Sequence, residues 1–338
     1  MQAQIAANEK GVQELLNMCD HFGLDVVKAY MNHVQDNAEE AVRRVIAHLR
    51  DGSFHYKLDN GAEILVKITA DREKRSAVVD FTCTSVQLDN NFNAPGAIGV
   101  AAVLYVFRTL VNDEIPLNAG CLKPIDIIIP EGSMLRPVSP AAVVAGNVET
   151  SMCVVNAIYG ALGVLASSQG TMNNFTFGNA RYQYYETIAG GTGAGLVNVD
   201  APYSEASDGF DGTSVVQSHM TNSRLTDPEV LEFRYPVRLE SYEIRDGSGG
   251  AGRWQGGNGG TRRLRFLEPM TASILSNNRV FAPFGQAGGE PGEKGRNWVE
   301  RVDGSVTELG PQDKTELAAG DIFVVQTPGG GGFGKAVK

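Results

Sequence analysis

The sequence has few of the residues that form disulfides or bind metal ions. Its 338 residues include four cysteines, at positions 19, 83, 121 and 153, and no CxxC pair. Of its five histidines, four fall within the first sixty residues. This spacing fits neither a zinc ribbon nor a disulfide framework. We therefore expect reduced thiols and no histidine-rich metal cluster.

Positive charge and long hydrophobic runs are also scarce. The 39 acidic side chains outnumber the 29 basic ones, giving a formal net charge of -10. That balance argues against non-specific binding to nucleic acid or to an anionic membrane. The longest nearly uncharged apolar stretch, 94–107, is shorter than the roughly 20 residues that span a bilayer. No basic-then-apolar leader opens the chain, so we expect a cytoplasmic protein.

The motifs of several common enzyme classes are missing. The sequence contains no GxxxxGK[ST], GxSxG or HExxH motif, which removes the simplest nucleotide-binding, serine hydrolase and zinc protease interpretations. Residues 247–252 fit GxGxxG, but four further glycines follow by residue 260. Those glycines would break the helix that a dinucleotide fingerprint must open. We interpret the stretch as a link between strands and assign no cofactor-binding residues to this chain.

Glycine is the residue present in excess. The chain has 40 glycines, of which 11 lie in residues 1–169 and 29 in residues 170–338. This asymmetry predicts an α+β protein with a helix-rich first half and a strand-rich, glycine-rich second half with many tight turns. We place a soft boundary near 223–235, dividing the chain into parts 1–225 and 226–338.

Hydrophobic periodicity locates the elements of the first half. Two apolar stripes at helical spacing, 5–19 and 27–49, are separated by Gly23 and predict an N-terminal helical hairpin. Further predicted elements are a β-hairpin over 64–81, a helix from Pro95 to Val111, a short strand at 126–129 and a central helix from Asn147 to Ser168.

The second half shows shorter signals. A strand is predicted at 182–188, and Asp227 before Pro228 is typical of a helix start. Later strands are predicted around Tyr242, Arg263, Ile274, Val299 and Phe323.

Polar side chains cluster beside several of these elements. The sets contain Asn147 and Glu149, Asn173 and Asn174, Tyr184 to Glu186, and His219, Asn222 and Arg224. Each set on its own is typical of caps and turns. Together they would also suit a small polar amide ring, with amides holding carbonyl oxygens and a carboxylate or imidazole moving protons.

Seven motifs spread over most of the chain resemble those of the hydantoinase B/5-oxoprolinase family. They are NFNAP (91–95), IPLNAGC (115–121), GNVETS (146–151), SQGTMNN (168–174), YYET (184–187), HMTN (219–222) and TPGGGG (327–332).

The resemblance implies an ATP-dependent amidohydrolase that opens a cyclic amide such as 5-oxoproline or an N-substituted hydantoin. In that family a hydantoinase A-type subunit or domain binds ATP with Mg²⁺ and activates the ring carbonyl, and the B-type part hydrolyses it. The resemblance thus implies a hetero-oligomer. Related ketone carboxylases use the same two-part plan.

The chain departs from the family pattern in three places. B-type chains begin with a longer segment, in which related carboxylases bind a metal, so we interpret this chain as a carboxy-terminal portion. Cys83 stands where glycine usually follows the Asp-Phe-Thr strand. Gln217 replaces a frequent histidine, and an amide cannot shuttle protons near neutral pH.

These observations lead to role assignments and to three functional hypotheses. We assign proton transfer to His219 and Glu186 and substrate binding to Asn147, Asn173, Asn174, Asn222 and Arg224, with Arg224 contacting a carboxylate or phosphate. The leading hypothesis is part of the hydrolytic subunit of an ATP-dependent cyclic-amide hydrolase. The alternatives are a subunit of an ATP-dependent ketone carboxylase and a non-catalytic assembly module.

Overall fold

Two helices open the chain in the computed structural model, which describes residues 1–198, 204 and 206–336. They are α1 (Gln2–Phe22) and α2 (Leu24–Ile46), separated by Gly23, whose φ of +85° favours glycine. The predicted helices and their break are confirmed. Helix α1 has no buried residue, whereas α2 buries Ala38, Val42 and Ile46 against the body of the protein.

A four-stranded sheet follows the helices. Its strands are β1 (Gly52–Lys57), β2 (Glu63–Asp71), β3 (Ser76–Asp80) and β4 (Ile125–Ile128), in the order β1-β2-β3-β4. The predicted β2–β3 hairpin is confirmed by its antiparallel register. Helix α3 (Gly96–Thr109), also predicted, and a 3-10 turn (Ala119–Leu122) lie between β3 and β4, which pair in parallel.

The central helix is shorter than the sequence predicts. It begins as a π-helical turn (Gly146–Thr150) and continues as α4 (Ser151–Leu162), which is buried on all sides. The prediction that it reaches Ser168 is wrong, because Gly163 ends it in a left-handed cap at φ +71°. Beyond the cap, the Ser167 amide bonds the distant Phe284 carbonyl at 2.9 Å.

The second half is built from antiparallel strands, as predicted. The strands are β5 (Asn174–Gly178), β6 (Gln183–Thr187), β7 (Gly195–Leu196), β8 (Gly209–Phe210), β9 (Val237–Ile244), β10 (Gly260–Phe266), β11 (Met270–Leu275), β12 (Arg296–Glu300), β13 (Val306–Leu309), β14 (Gln312–Leu317) and β15 (Ile322–Gln326). One sheet has the order β14-β11-β5-β6 and the other the order β13-β12-β15-β10-β9. Helix α5 (Pro228–Arg234) starts at the predicted cap, where Asp227 Oδ1 accepts from Glu229 N at 3.0 Å.

Many glycines of the second half serve close backbone packing and not only the tight turns expected from sequence. An added Cβ at Gly330 would lie 1.9 Å from the Thr192 carbonyl oxygen, and one at Gly191 would lie 1.9 Å from the Gly257 carbonyl oxygen. The Gly330 amide donates to the Gly257 carbonyl at 2.8 Å. Segments 247–260 and 327–334 therefore pack against each other without side chains, and 247–252 opens no helix.

The described residues form two large hydrophobic cores and one small cluster around Phe333. The first joins α2, α3, α4 and the β1–β4 sheet, and the second is rich in aromatic side chains such as Phe175, Phe266 and Phe323. Strand β5 pairs with both β6 and β11, so one sheet contains strands from both sides of residue 225. The boundary at 225 stays a prediction.

Two further sequence expectations concern thiols and membranes. All four cysteines are free thiols, as predicted. Within residues 1–198, 204 and 206–336, no helix has the length and apolar character needed to span a bilayer.

Candidate active site

A buried polar segment, 167–174, lies between the two cores. Every residue in it is buried, although most are serine, threonine, glutamine or asparagine. Buried polar groups are stable only when their hydrogen bonds are satisfied. The partners of this segment therefore define the polar centre of the molecule.

Glu149 is the main acceptor for that segment. Its Oε1 accepts from Thr171 Oγ1 at 2.9 Å, from the Met172 amide at 3.0 Å and from Asn174 Nδ2 at 2.7 Å. Its Oε2 is buried and has no partner. Burial raises the pKa of Glu149 to about 8, against the weaker opposing effect of these hydrogen bonds. At neutral pH the side chain is mostly an uncharged acid.

Asn173 and Asn174 use their amides within the protein. Asn173 has a φ of +47°, which asparagine tolerates; it donates to Gln169 Oε1 at 2.9 Å and accepts from Arg279 Nη1 at 2.6 Å. Asn174 accepts from the Tyr185 hydroxyl at 2.6 Å. Both side chains face the interior, so in this geometry they support a site without lining it.

Asp59 and Arg279 join the two halves beside this network. The Asp59 carboxylate accepts from the backbone amides of Arg279 at 2.6 Å and of Val280 and Phe281 at 3.1 Å each. Arg279 Nη2 donates to Asn297 Oδ1 at 3.0 Å. Burial lowers the pKa of Arg279 to about 10. Sequence reasoning missed both residues, because no local pattern links positions 220 apart.

Glu186 forms a buried ion pair. Its two carboxylate oxygens accept from Arg262 Nε at 2.8 Å and Nη2 at 3.0 Å, and the Tyr184 hydroxyl donates to Oε2 at 3.0 Å. Both charged side chains are 3% exposed. The Tyr242 ring centroid lies 5.6 Å from the Arg262 guanidinium carbon. Both oxygens of the Glu186 carboxylate are therefore occupied by donors of the protein.

An open cleft lies against this ion pair. It has a volume of about 440 Å³ and suits a small ligand. Gln217, which lines it, donates to Thr187 Oγ1 at 3.1 Å and accepts from Gln169 Nε2 at 3.4 Å. Its lining residues are Thr187, Ala189, Val215, Val216, Gln217, Asn222, Ser223, Arg224, Leu225 and Tyr242. The cleft thus contains two of the predicted substrate-binding residues, Asn222 and Arg224.

His219 lies outside the lining of this cleft. Its Nε2 is 3.0 Å from Asn156 Oδ1, which also accepts from the Ser168 amide at 3.1 Å. Because Asn156 Oδ1 can only accept a hydrogen bond, Nε2 of His219 carries the hydrogen. Burial against the rings of Tyr105 and Tyr159 lowers the pKa of His219 to about 3, so the imidazole is neutral at pH 7.

The predicted site residues thus fall into separate groups. Asn174 donates to Glu149, and Asn173 is linked to Glu149 through Thr171. Asn222 and Arg224 both line the cleft, and Glu186 pairs with Arg262 beneath Tyr242. His219 is linked to the buried segment through Asn156. Asn147 is exposed on the π-helical turn, with its side chain in neither group. Glu149 was present in the GNVETS motif but received no role from sequence.

Comparison with known proteins decides the family. The model of the Hydantoinase B/oxoprolinase family matches residues 1–336. The chain belongs to the hydantoinase B/oxoprolinase family. The resemblance predicted from its motifs is therefore confirmed.

Curated relatives of this hydantoinase B/oxoprolinase chain include two 5-oxoprolinases. It is 45% identical to the 5-oxoprolinase of Dictyostelium discoideum, over 99% of this chain and 26% of that protein. It is 44% identical to 5-oxoprolinase 1 of Arabidopsis thaliana, over 100% of this chain and 27% of that protein. The chain therefore spans about a quarter of the length of these relatives.

Solved structures share the fold of this hydantoinase B/oxoprolinase chain. An ATP-dependent caprolactamase from Pseudomonas jessenii superimposes with a TM-score of 0.78 at 22% identity, over 99% of this chain and 60% of that one. A nucleotide-free acetone carboxylase gives 0.80 at 15% identity, over 95% of this chain and 50% of that one. At these identities the likeness concerns the fold alone.

The family motifs converge in space. GNVETS provides Glu149, SQGTMNN provides Thr171 and Asn174, and YYET provides Tyr185, and all four side chains belong to one hydrogen-bonded network. Three of the family motifs, all within residues 146–187, thus contribute polar groups to a single buried network.

Proposed function

We propose that this chain is part of the hydrolytic subunit of an ATP-dependent cyclic-amide hydrolase that opens 5-oxoproline or a hydantoin ring. The observation that carries the proposal is the family match over residues 1–336, together with 45% identity to a 5-oxoprolinase over nearly the whole chain. The polar cleft of about 440 Å³ provides room for such a ring.

The cleft offers groups suited to a small, carboxylate-bearing amide. Arg224 is an exposed cation that can bind a substrate carboxylate or a phosphate. Asn222 and Gln217 can hydrogen-bond a ring carbonyl and a ring N–H. Val215, Val216 and Leu225 supply an apolar wall for the ring carbons. We assign Asn173 and Asn174 a supporting role, because their amides already bond inside the protein.

Proton transfer is assigned to His219 in preference to Glu186. The neutral imidazole carries its hydrogen on Nε2, which leaves Nδ1 as the possible acceptor. Its pKa of about 3 makes it a weak base, so we expect a contribution at the low end of the usual 10²–10⁴-fold range. Glu186 is proposed to hold Arg262 and Tyr184 in place under the cleft.

ATP and Mg²⁺ are proposed to bind a hydantoinase A-type part. That part would transfer a phosphoryl group to the ring carbonyl oxygen with release of ADP. Water would then add to the activated carbon, and the C–N bond would break with transfer of a proton to the ring nitrogen, which leaves an acyl phosphate. A second water would hydrolyse the acyl phosphate to a carboxylate and free phosphate. Among the described residues, no three His, Cys, Asp or Glu side chains are grouped to hold a metal ion. We therefore place any metal in the remainder of the B-type subunit.

The test is coupled turnover in the full-length protein. This region, restored to full length and co-expressed with an A-type part, should release ADP only when 5-oxoproline or a hydantoin is present. ADP release that requires bicarbonate and a ketone would instead identify a carboxylase. A stable complex without turnover on any of these substrates would identify an assembly module.

A matched pair of arginine variants locates the substrate. Arg224→Ala in the cleft should raise KM at least tenfold, because it removes the proposed carboxylate partner. Arg234→Ala, at an exposed arginine at the end of α5, serves as the control and should leave KM unchanged. Equal KM values for the two variants would contradict the assignment of the cleft.

A further inference from the structure

The backbone around Glu149 is fixed on both sides. The π-helical turn Gly146–Thr150 presses on the loop before α3, since an added Cβ at Gly146 would lie 2.4 Å from the Asn93 carbonyl oxygen. Thr150 Oγ1 donates to the Phe92 carbonyl at 2.6 Å. π-Helical turns are frequent at functional sites. Here the turn directs Glu149 fully into the interior, with 0% of the residue exposed.

A continuous path of hydrogen bonds leads from Glu149 to the cleft. Thr171 Oγ1 donates to Glu149 at 2.9 Å and accepts from the Asn173 amide at 2.9 Å. Asn173 Nδ2 donates to Gln169 Oε1 at 2.9 Å, and Gln169 Nε2 donates to Gln217 Oε1 at 3.4 Å. The bonds of Thr171 and of the Asn173 amide point towards Glu149, whereas those of Asn173 Nδ2 and Gln169 point towards Gln217. Asn173 therefore joins the two parts of the path, and Glu149 is the acceptor at one end.

We propose that Glu149 is a positioning residue of the cleft: it accepts the three donors of the turn 171–174 and, through Thr171, Asn173 and Gln169, holds the Gln217 amide on the cleft wall. Calling the cleft a substrate site rests on the proposed function; the hydrogen-bonded path and the charge state of Glu149 do not. Because Glu149 is fully buried and does not line the cleft, it acts through other residues and is not a catalytic group.

The surroundings of Glu149 favour the uncharged form. Burial raises its pKa, and Oε2 has neither a partner nor solvent. The three donors to Oε1 lower the pKa, and so does the charge of Arg279. The other titratable groups near it are Cys153, four residues along the helix, and Tyr185 behind Asn174. Burial outweighs the hydrogen bonds and Arg279, and the net pKa is about 8.

Isosteric and truncating variants separate charge from shape. Glu149→Gln keeps a carbonyl oxygen for the three donors and cannot ionise, so it imitates the uncharged acid. Glu149→Ala removes the acceptor, and Thr171→Val removes the second link without touching a titratable group. Glu131→Gln, at an exposed glutamate after β4, is the matched control.

The first readout does not depend on enzyme activity. In the 338-residue chain with ¹⁵N-labelled glutamine, the side-chain amide signals of Gln169 and Gln217 should be unchanged in Glu149→Gln and Glu131→Gln. They should shift in Thr171→Val and in any folded Glu149→Ala protein. Unchanged Gln217 signals in Thr171→Val, or shifted ones in Glu149→Gln, would overturn the proposed path.

The second readout is the pH profile of kcat/KM in the full-length complex. Wild type should lose activity as Glu149 ionises near pH 8, and Glu149→Gln should keep the wild-type plateau and extend it to higher pH. An inactive but folded Glu149→Gln would overturn the positioning role, since a proton would then be required. If wild type shows no cyclic-amide turnover, the proposed function fails, while the amide signals still decide the path.

Discussion

Two buried glutamates, Glu149 and Glu186, differ in the partners of their carboxyl groups. Glu186 meets a guanidinium with both oxygens in an ion pair. Glu149 meets only hydroxyl and amide donors on one oxygen, and its pKa rises to about 8. Both are almost fully removed from water. The comparison teaches that the partner, and not burial alone, decides whether an interior carboxyl is charged.

Removing the cation of the ion pair should have the largest effect on stability. Arg262→Met leaves the Glu186 carboxylate buried without its counter-charge, which costs about 3–5 kcal/mol in the free energy of unfolding. Urea denaturation at pH 7 measures it. The double variant Arg262→Met with Glu186→Leu should recover most of the loss. A single variant within 1 kcal/mol of wild type would show that the pair is not desolvated.

Removing the Glu149 carboxyl group should have a somewhat smaller effect on the free energy of unfolding. Glu149→Ala leaves the Thr171 hydroxyl, the Met172 amide and the Asn174 amide without their shared acceptor. Since an unsatisfied buried polar group costs about 1–3 kcal/mol and the cavity allows some relaxation, we expect a total of roughly 3 kcal/mol. Urea denaturation should place the control Glu131→Ala within about 0.5 kcal/mol of wild type. A similar value for both variants would contradict the three-donor geometry.

Replacing Glu149 by glutamine tests its pKa through the pH dependence of the free energy of unfolding. The folded-state pKa of about 8 lies above the model value of 4.5, so the native state holds its proton more tightly than the unfolded state. The resulting stability is fully present below the unfolded pKa and is lost as pH rises towards 8. Relative to Glu149→Gln, wild type should lose about 1.4 kcal/mol per pH unit between pH 5 and 8. Parallel stability curves for the two proteins would refute the raised pKa.

Removing the hydroxyl of either adjacent tyrosine, Tyr184 or Tyr185, should have the smallest effect on stability. Tyr185→Phe removes the hydrogen bond to Asn174 in the network of Glu149, and Tyr184→Phe removes the bonds to Glu186 and Thr226. Each should lower the free energy of unfolding by about 1 kcal/mol. Only Tyr185→Phe should alter the side-chain amide signals of Asn174 in NMR spectra. A larger change at Asn174 in Tyr184→Phe would contradict the separation of the two clusters.

Elements with a clear period could be predicted from sequence. Ile64, Val66 and Ile68 alternate on one face of β2, and Asp227 before Pro228 starts α5 where a cap should. The end of the central helix could not, since apolar residues continue past Gly163 and the chain leaves the helix for distant backbone partners. Glycine content predicted a turn-rich second half, but not that Gly330 and Gly191 allow backbones to touch.

The sequence predicted which residues the candidate site contains better than it predicted how they are arranged. The chemistry of the polar side chains led to Asn173, Asn174, Asn222 and Arg224, and the structure has two of them in the network of Glu149 and two in the lining of the cleft. Asp59 and Arg279 form contacts across some 220 residues, which a single sequence does not reveal. The charge state of Glu149 depends on having no cation bound to its carboxyl, a property of the folded interior alone.

The most direct measurement is a ¹³C NMR titration of the side-chain carboxyl groups of the glutamates in the 338-residue chain, with Glu149→Gln used to assign the Glu149 signal. The account predicts a midpoint near pH 8 for Glu149. A Glu149 midpoint below pH 5 would contradict it.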